Sequence, residues 1–321
     1  MNRTVVVGLG AVSEFHIEPV KRHAILYGVC DIVKEKADKI AKKNDCKAYY
    51  DYDEVIEDKN VDCVHILTPH YLHFPMAQKA SLAGKKIVLE KPAVINTEEY
   101  KRLLETFEKN GTDCCIMLQN RYNNCISYMK ENWNKLGLGR FLGLKGIVTW
   151  YRSNEYYSQS NWRGKYETEG GGLLINQSPH MIDLLCYFGG KVKEVKGTAS
   201  HYFFDNIIEV EDTSEAVIFF ENGVKALFYG TNGYVTNSPY DMEFVFEKGT
   251  VRYMYDKLYK ITDGEMSVLC EDRTNEFKEK KYWGSSHDIV IKSFYSGGKY
   301  PVLKDYNEAL TVIDYLIKKR R

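Results

Sequence analysis

Between residues 3 and 119, short runs of β-branched and apolar positions alternate with longer stretches whose apolar positions recur every three or four residues. The short runs, at 4–8, 25–31, 61–68, 86–90 and 113–119, predict strands, and the longer ones, at 33–44, 72–83 and 97–110, predict helices. The 97–110 stretch carries its own punctuation, with Asn96 or Thr97 ahead of Glu98 and Glu99 and Gly111 behind. Such alternation is the pattern of βαβ units and predicts a mostly parallel, doubly wound sheet.

After about residue 121 the pattern changes. A helix is predicted at 124–136, a long strand at 141–152 and a glycine-introduced helix near 173–188. From 192 to about 270, strands are separated by Asn222-Gly223, Lys248-Gly249 and Asp263-Gly264, pairs that suit tight hairpins. The expected fold class is α/β: an N-terminal Rossmann dinucleotide-binding domain over 1–121, then a C-terminal α+β domain over 122–304 with a large, mostly antiparallel open sheet. A final helix over 305–321 is a candidate to return to the first domain.

Composition narrows the partners. The 321 residues suffice for two cores. Lys+Arg and Asp+Glu both total 44, so no net field draws a polyanion and nucleic acid is not expected as a partner. No apolar run approaches the roughly 20 residues of a membrane helix, and the start reads as strand rather than leader, so no membrane association and a cytoplasmic location are expected. The eight cysteines form no C-x-x-C pair, and several lie in apolar runs such as Asp62-Cys63-Val64-His65-Ile66. They read as reduced core thiols, and no metal site is expected. The 25 tyrosines suit sugar faces and cores alike.

Gly8-Leu9-Gly10-Ala11-Val12-Ser13 follows the first predicted strand and opens a helix. The first glycine permits the turn, the second lets backbone approach a pyrophosphate, and Ser13 stands where a small residue packs helix on strand. Asp31 ends the second strand about 20 residues on, where a carboxylate accepts both ribose hydroxyls and repels a 2′-phosphate. That predicts NAD, with NADP disfavoured, although Lys34 and Lys36 soften the repulsion. An ordinary surface aspartate in a domain without cofactor is the alternative.

Glu90-Lys91-Pro92 closes a strand at the carboxyl edge of the sheet, where open α/β domains bind ligands. There the Lys91 ammonium would stabilise an alkoxide as hydride leaves a carbinol carbon, though such a Glu-Lys pair also suits solvated surface. Gly170-Gly171-Gly172 leads into residues 173–183. On one helix, Asn176, His180 and Asp183 share a face. Pro179 either kinks that helix or starts a shorter one with Ser178 as N-cap. His180 is then an acid/base candidate or a buried histidine satisfied by backbone.

Gly8-Leu9-Gly10, Thr68-Pro69-His70-Tyr71-Leu72-His73, Glu90-Lys91-Pro92, Gln119-Asn120-Arg121-Tyr122-Asn123 and the 170–183 stretch, in this order, resemble the glucose–fructose oxidoreductase / inositol dehydrogenase / rhizopine catabolism (Gfo/Idh/MocA) family across essentially the whole chain. The resemblance implies hydride chemistry on a small carbohydrate or polyol, and a homo-oligomer, dimer or tetramer, formed through the C-terminal sheet. It implies Lys91 and His180 as catalytic residues. For the cofactor it implies Gly8, Leu9, Gly10, Ala11, Val12, Asp31, Ile32, Thr68, Pro69, His70, His73, Glu90, Lys91, Asn120, Trp162 and Arg163. For the substrate it implies Lys91, Arg121, Tyr151, Tyr156, Asn176 and His180. The family's inositol dehydrogenases carry an aspartate four residues before that histidine, where this chain has Asn176. Asparagine neither takes a proton nor supplies charge, so an Asp–His relay is absent, Asn176 is expected to orient a substrate hydroxyl, and Asp183 is a possible partner for His180. Trp283 and His287 are candidates to close the substrate pocket. Three functions fit: an NAD-dependent sugar or polyol dehydrogenase, a redox-neutral enzyme that retains NAD while transiently oxidising a glycoside, and a noncatalytic NAD-sensing regulator.

Overall fold

The computed structural model describes residues 1–204, 206–272 and 286–320. They fall into two units, Met1–Met117 with Ser286–Tyr306, and Leu118–Ser285 with Asn307–Arg321.

The first unit is built on strands β1 (Arg3–Val7), β2 (Ile25–Cys30), β3 (Lys47–Tyr49), β4 (Cys63–Ile66), β5 (Lys86–Leu89) and β6 (Cys114–Ile116), in the order β3-β2-β1-β4-β5-β6. Every pairing is parallel. The order reverses between β1 and β4, which opens a ligand crevice at their carboxyl ends. Because helices cover the sheet, β4, β5 and β6 read as continuous apolar runs rather than alternating ones. The helix Thr97–Asn110 ends as its punctuation predicts, with the Asn96 side chain accepting the Glu99 N–H and Gly111 in the left-handed region. β3 and the helix Tyr52–Glu57 were not anticipated, being too short to show a period.

The return to this unit differs from expectation. Ser286–Tyr306 rejoins it: the helix His287–Ser296 packs on the helix Glu14–His23, and the Pro301 carbonyl accepts the Ile116 N–H at 2.8 Å. The last helix, Asn307–Lys318, belongs instead to the second unit, against the helix Pro179–Gly189. Its apolar face of Ala309, Leu310, Ile313 and Leu316 matches a helix that is buried nearly all round, and Glu308 accepts the Val192 N–H at 2.7 Å.

The second unit carries β7 (Phe141–Thr149), β8 (Val192–Ser200), β9 (Thr213–Phe220), β10 (Lys225–Thr231), β11 (Asp241–Phe246), β12 (Gly249–Met254), β13 (Lys257–Thr262) and β14 (Glu265–Glu271). The order is β14-β13-β12-β11-β7-β10-β9-β8, antiparallel except for β7 with β10. The three glycine turns fall between β9 and β10, β11 and β12, and β13 and β14. One face receives the helix Pro179–Gly189, with Met181 and Leu185 against Gly146. The other presents Leu227 and Tyr229, 53% and 40% exposed. No helix among the described residues is long and apolar enough to cross a membrane.

Candidate functional site

In the first unit the chain leaves β1 through Gly8, whose φ is +89°. A Cβ there would lie 2.8 Å from the Leu67 carbonyl carbon and oxygen, so the turn needs glycine twice over, for its backbone angle and for the close approach. Gly10 has nothing within 4 Å of its Cβ position, leaving open space in front of the turn where a phosphate would approach. Ser13 is buried and donates its hydroxyl to the Gly10 carbonyl at 2.8 Å, so serine fills the packing position with its polar atom satisfied. Asp31 accepts the Leu9 N–H at 2.9 Å and the Val33 N–H at 3.0 Å, and pairs with Lys36 at 3.2 Å. The carboxylate thus ties the turn to the end of β2, and Ile32 beside it is exposed. Ala11 and Val12 complete the turn.

Thr68 and Pro69 lead into the helix His70–Leu82. His73, expected at the cofactor, has both ring nitrogens on the chain's own carbonyls: Nδ1 lies 2.7 Å from the Pro92 oxygen and Nε2 2.8 Å from that of Thr68. It braces these two loops together. His70 is buried beside it.

Glu90 and Lys91 follow β5. Burial works to raise the Glu90 carboxyl, but the hydrogen bond from His16 and the nearby His287 ring outweigh it and hold the group well below the usual carboxylate range. Its Oε1 lies 3.0 Å from His16 Nε2 and 3.7 Å from His287 Nε2, and its Oε2 accepts the Lys91 N–H at 3.1 Å. Burial keeps His16 and His65 neutral. One proton arrangement then satisfies the chain: Tyr295 O–H donates to His65 Nε2, His65 Nδ1–H to His16 Nδ1, and His16 Nε2–H to Glu90. A buried anion therefore fixes the backbone that carries Lys91. The ligand atoms of His16, Glu90 and His287 also lie within 4.8 Å of one another, but the short His16–Glu90 hydrogen bond already accounts for that grouping. His287, a candidate to close the substrate pocket, is buried in the first unit, its ring 5.0 Å from that of Phe15. Trp283 lies outside the described residues.

In the second unit, a Cβ on Gly172 would sit 2.1 Å from the Glu211 oxygen, so only glycine lets the chain pass there. Residues Leu173–Gln177 form one wide π-type turn, and an α-helix starts afresh at Pro179. Asn176, His180 and Asp183 therefore do not ride on one continuous helix, and Ser178 gives no side-chain cap. Gln119 Nε2 meets His180 Nε2 at 3.1 Å. Asp183, a possible partner for His180, instead takes a bidentate bond from Arg121, 2.8 Å from Nε and 2.6 Å from NH2. Arg121, expected at substrate, is committed to that pair and to the face of Tyr187, 4.6 Å away. The Asn120 amide is buried with no hydrogen-bond partner for either polar atom among the described residues, as a ligand-binding amide would be. Asn176 donates its amide to Glu169 Oε1 at 2.6 Å and to the Tyr156 hydroxyl at 3.2 Å. Arg152 and Arg163 lie 5.1 and 4.4 Å from the Tyr156 ring, and Arg163 also stacks 5.0 Å from Trp162. Tyr151 is half exposed and lines a hollow of about 310 Å³ with Arg152 and Glu155.

The profile of an oxidoreductase family with an NAD-binding Rossmann fold matches residues 2–117, and that of the GFO/IDH/MocA C-terminal domain matches 127–252. The chain belongs to the GFO/IDH/MocA family. Oxidoreductase P35 of Formosa agariphila is 28% identical over 179 residues, 55% of this chain and 54% of that protein. The NAD(+)-dependent scyllo-inositol 2-dehydrogenase of Bacillus subtilis is 28% identical over 200 residues, 61% of this chain and 56% of that protein. The match thus spans little more than half the length of these curated relatives. Among solved structures, the WlbA dehydrogenase of Bordetella pertussis in complex with NADH and UDP-GlcNAcA superposes with a TM-score of 0.83 at 24% identity, covering 99% of this chain and 96% of that one. A levoglucosan dehydrogenase in complex with NADH and levoglucosan gives 0.86 at 20% identity, covering 99% and 97%. At these identities the likeness is one of fold.

Among the buried polar residues of this GFO/IDH/MocA chain that the sequence reading gave no role are His16, Gln119, Glu169 and Glu211. Gln119 stood in a family motif without a role. Glu169 abuts the glycine run, which was the one available signal that a carboxylate there is not solvated.

Proposed function

We propose that this protein is an NAD-dependent dehydrogenase that transfers a hydride between nicotinamide and a CH–OH carbon of a sugar, sugar derivative or polyol. The carrying observation is Lys91, held by the buried Glu90 anion at the carboxyl end of β5 in a sheet whose first turn fits a dinucleotide. NAD bound at that turn would supply the hydride acceptor. The Lys91 ammonium polarises the reacting oxygen and favours its alkoxide character, and His180 takes the hydroxyl proton. Asn176 and Tyr156 bind substrate hydroxyls, and Arg152 and Arg163, both beside the Tyr156 ring, favour a sugar that carries an acidic group. Asp31 disfavours a 2′-phosphate and so NADP. The exposed Leu227 and Tyr229 face of the second sheet supports a homo-oligomer, and eight unpaired thiols support a reducing, cytoplasmic location.

The test is to incubate the purified protein with NAD+ and a panel of free, acidic, amino and nucleotide-linked sugars while following NADH absorbance. Steady NADH formation with at least one member is expected. No reaction with any, in either direction, contradicts the reading.

A further inference from the structure

Glu169 is 1% exposed, yet both of its carboxylate oxygens are engaged: Oε2 accepts the Gly164 N–H at 2.6 Å and Oε1 accepts Asn176 Nδ2 at 2.6 Å. An ionised carboxylate only accepts, so both neighbours must donate. The Gly164 N–H cannot do otherwise. The Asn176 side chain can, because a carboxamide turned over presents its oxygen instead. Its second amide hydrogen goes to the Tyr156 hydroxyl, which also accepts from Gln177 at 3.3 Å. An oxygen that already accepts two N–H bonds directs its own proton elsewhere, so Tyr156 is a donor to its surroundings.

Resting on the dehydrogenase reading above, we propose that Glu169 is a positioning residue for the substrate: through the Asn176 Nδ2 bond it sets which arm of that amide, oxygen or nitrogen, meets a substrate hydroxyl. With Glu169 ionised, the nitrogen is committed to it and the oxygen takes the other arm. With Glu169 protonated, each carboxyl oxygen faces a donor, and the clash is relieved by turning the amide over. The charged and titratable groups around Glu169 among the described residues include Arg163, Glu211, Tyr156 and Tyr157. Burial pushes the Glu169 carboxyl up to about 7, with Glu211 adding to the rise, while the Gly164 and Asn176 hydrogen bonds and the Arg163 charge oppose it. The reversal therefore falls in the neutral range.

The experiment uses the best sugar of the panel at saturating NAD+, with KM and kcat measured from pH 5.5 to 8.5. For the wild type, KM is expected to rise about tenfold on the acid side, the worth of one hydrogen bond, and is read separately from the acidic limb of kcat that a proton-accepting His180 imposes. Glu169→Gln offers its own N–H to Asn176 and so locks the turned-over amide, giving the high acid-side KM at every pH. The exchanged pair Glu169→Gln with Asn176→Asp places a pure acceptor at 176 and is expected to restore the low KM at every pH. Substrate-free melting against pH, in wild type and Glu169→Gln, reads the ionisation of Glu169 independently of turnover. A Glu169→Gln protein that keeps the wild-type KM profile, or an exchanged pair with no recovery, overturns the proposal. A wild type that oxidises no panel member overturns the dehydrogenase reading, and this one with it.

Discussion

Replacing Asp183 by asparagine separates a structural carboxylate from a catalytic one. The Asp183 and Arg121 side chains are only 2% and 9% exposed and share two short hydrogen bonds. The guanidinium also lies over Tyr187 and near Lys130, whose pKa is lowered by burial and by the Arg121 charge. Asparagine keeps the shape but removes the charge and turns an N–H group toward a cation. Breaking one side of a buried pair costs about 3–5 kcal/mol, and since the amide oxygen still accepts one bond the low end, about 3 kcal/mol, applies. For a unit of this size about 1 kcal/mol moves the melting midpoint by about 2–4 °C, so a fall of roughly 6–12 °C is expected. Circular dichroism against temperature measures it, and turnover against pH is followed well below the transition. A midpoint unchanged to within about 2 °C, together with a displaced acidic limb of turnover, refutes the reasoning and returns Asp183 to His180.

Lys91→Met is expected to fold normally and still bind NAD yet lose about 100- to 1000-fold in turnover, and near-wild-type rates in a steady-state assay would leave Lys91 without a role in the chemistry. Calorimetry should show NAD binding at least about tenfold tighter than NADP, a gap of about 1.4 kcal/mol, and the opposite order would contradict the reading of Asp31. Glu211 is pushed up from 4.5 to about 7 by burial, so it holds its proton more tightly folded than unfolded. Its stabilising contribution is full below 4.5 and is lost as pH rises through about 7, amounting to about 3 kcal/mol. Glu211→Gln, whose amide oxygen still accepts the Gly172 and Leu174 N–H groups, should melt with a smaller decline between pH 5 and 8 than the wild type, and equal slopes would place the titration elsewhere.

Local chemistry was legible in the sequence where each residue's role depends on its near neighbours. The cap and glycine stop of Thr97–Asn110, the three hairpin turns and the Gly8 turn all express backbone preferences that act within a few residues. Elements whose place depends on a distant partner were not. The helix His287–Ser296 shows an apolar face in sequence, but nothing in that face says that it packs on Glu14–His23 rather than within the second unit. The last helix erred in the opposite direction for the same reason.

The same limit governs the site. Spacing of i, i+4 and i+7 places Asn176, His180 and Asp183 on one face only if the helix is continuous, and Pro179 restarts it after a wide turn. It also says nothing of what stands opposite, so the partner of Asp183 came from Arg121, 62 positions earlier. A carboxylate at 176 appeared to be missing because the residue there is asparagine. Yet the fold brings Glu169 to that amide from seven positions away, across a glycine run that lets the chain double back against Glu211. What a substitution removes at one position therefore has to be judged against the charges that the surrounding backbone delivers to the same point. Here that backbone delivers one carboxylate and one amide, joined by a hydrogen bond whose direction is set by a proton.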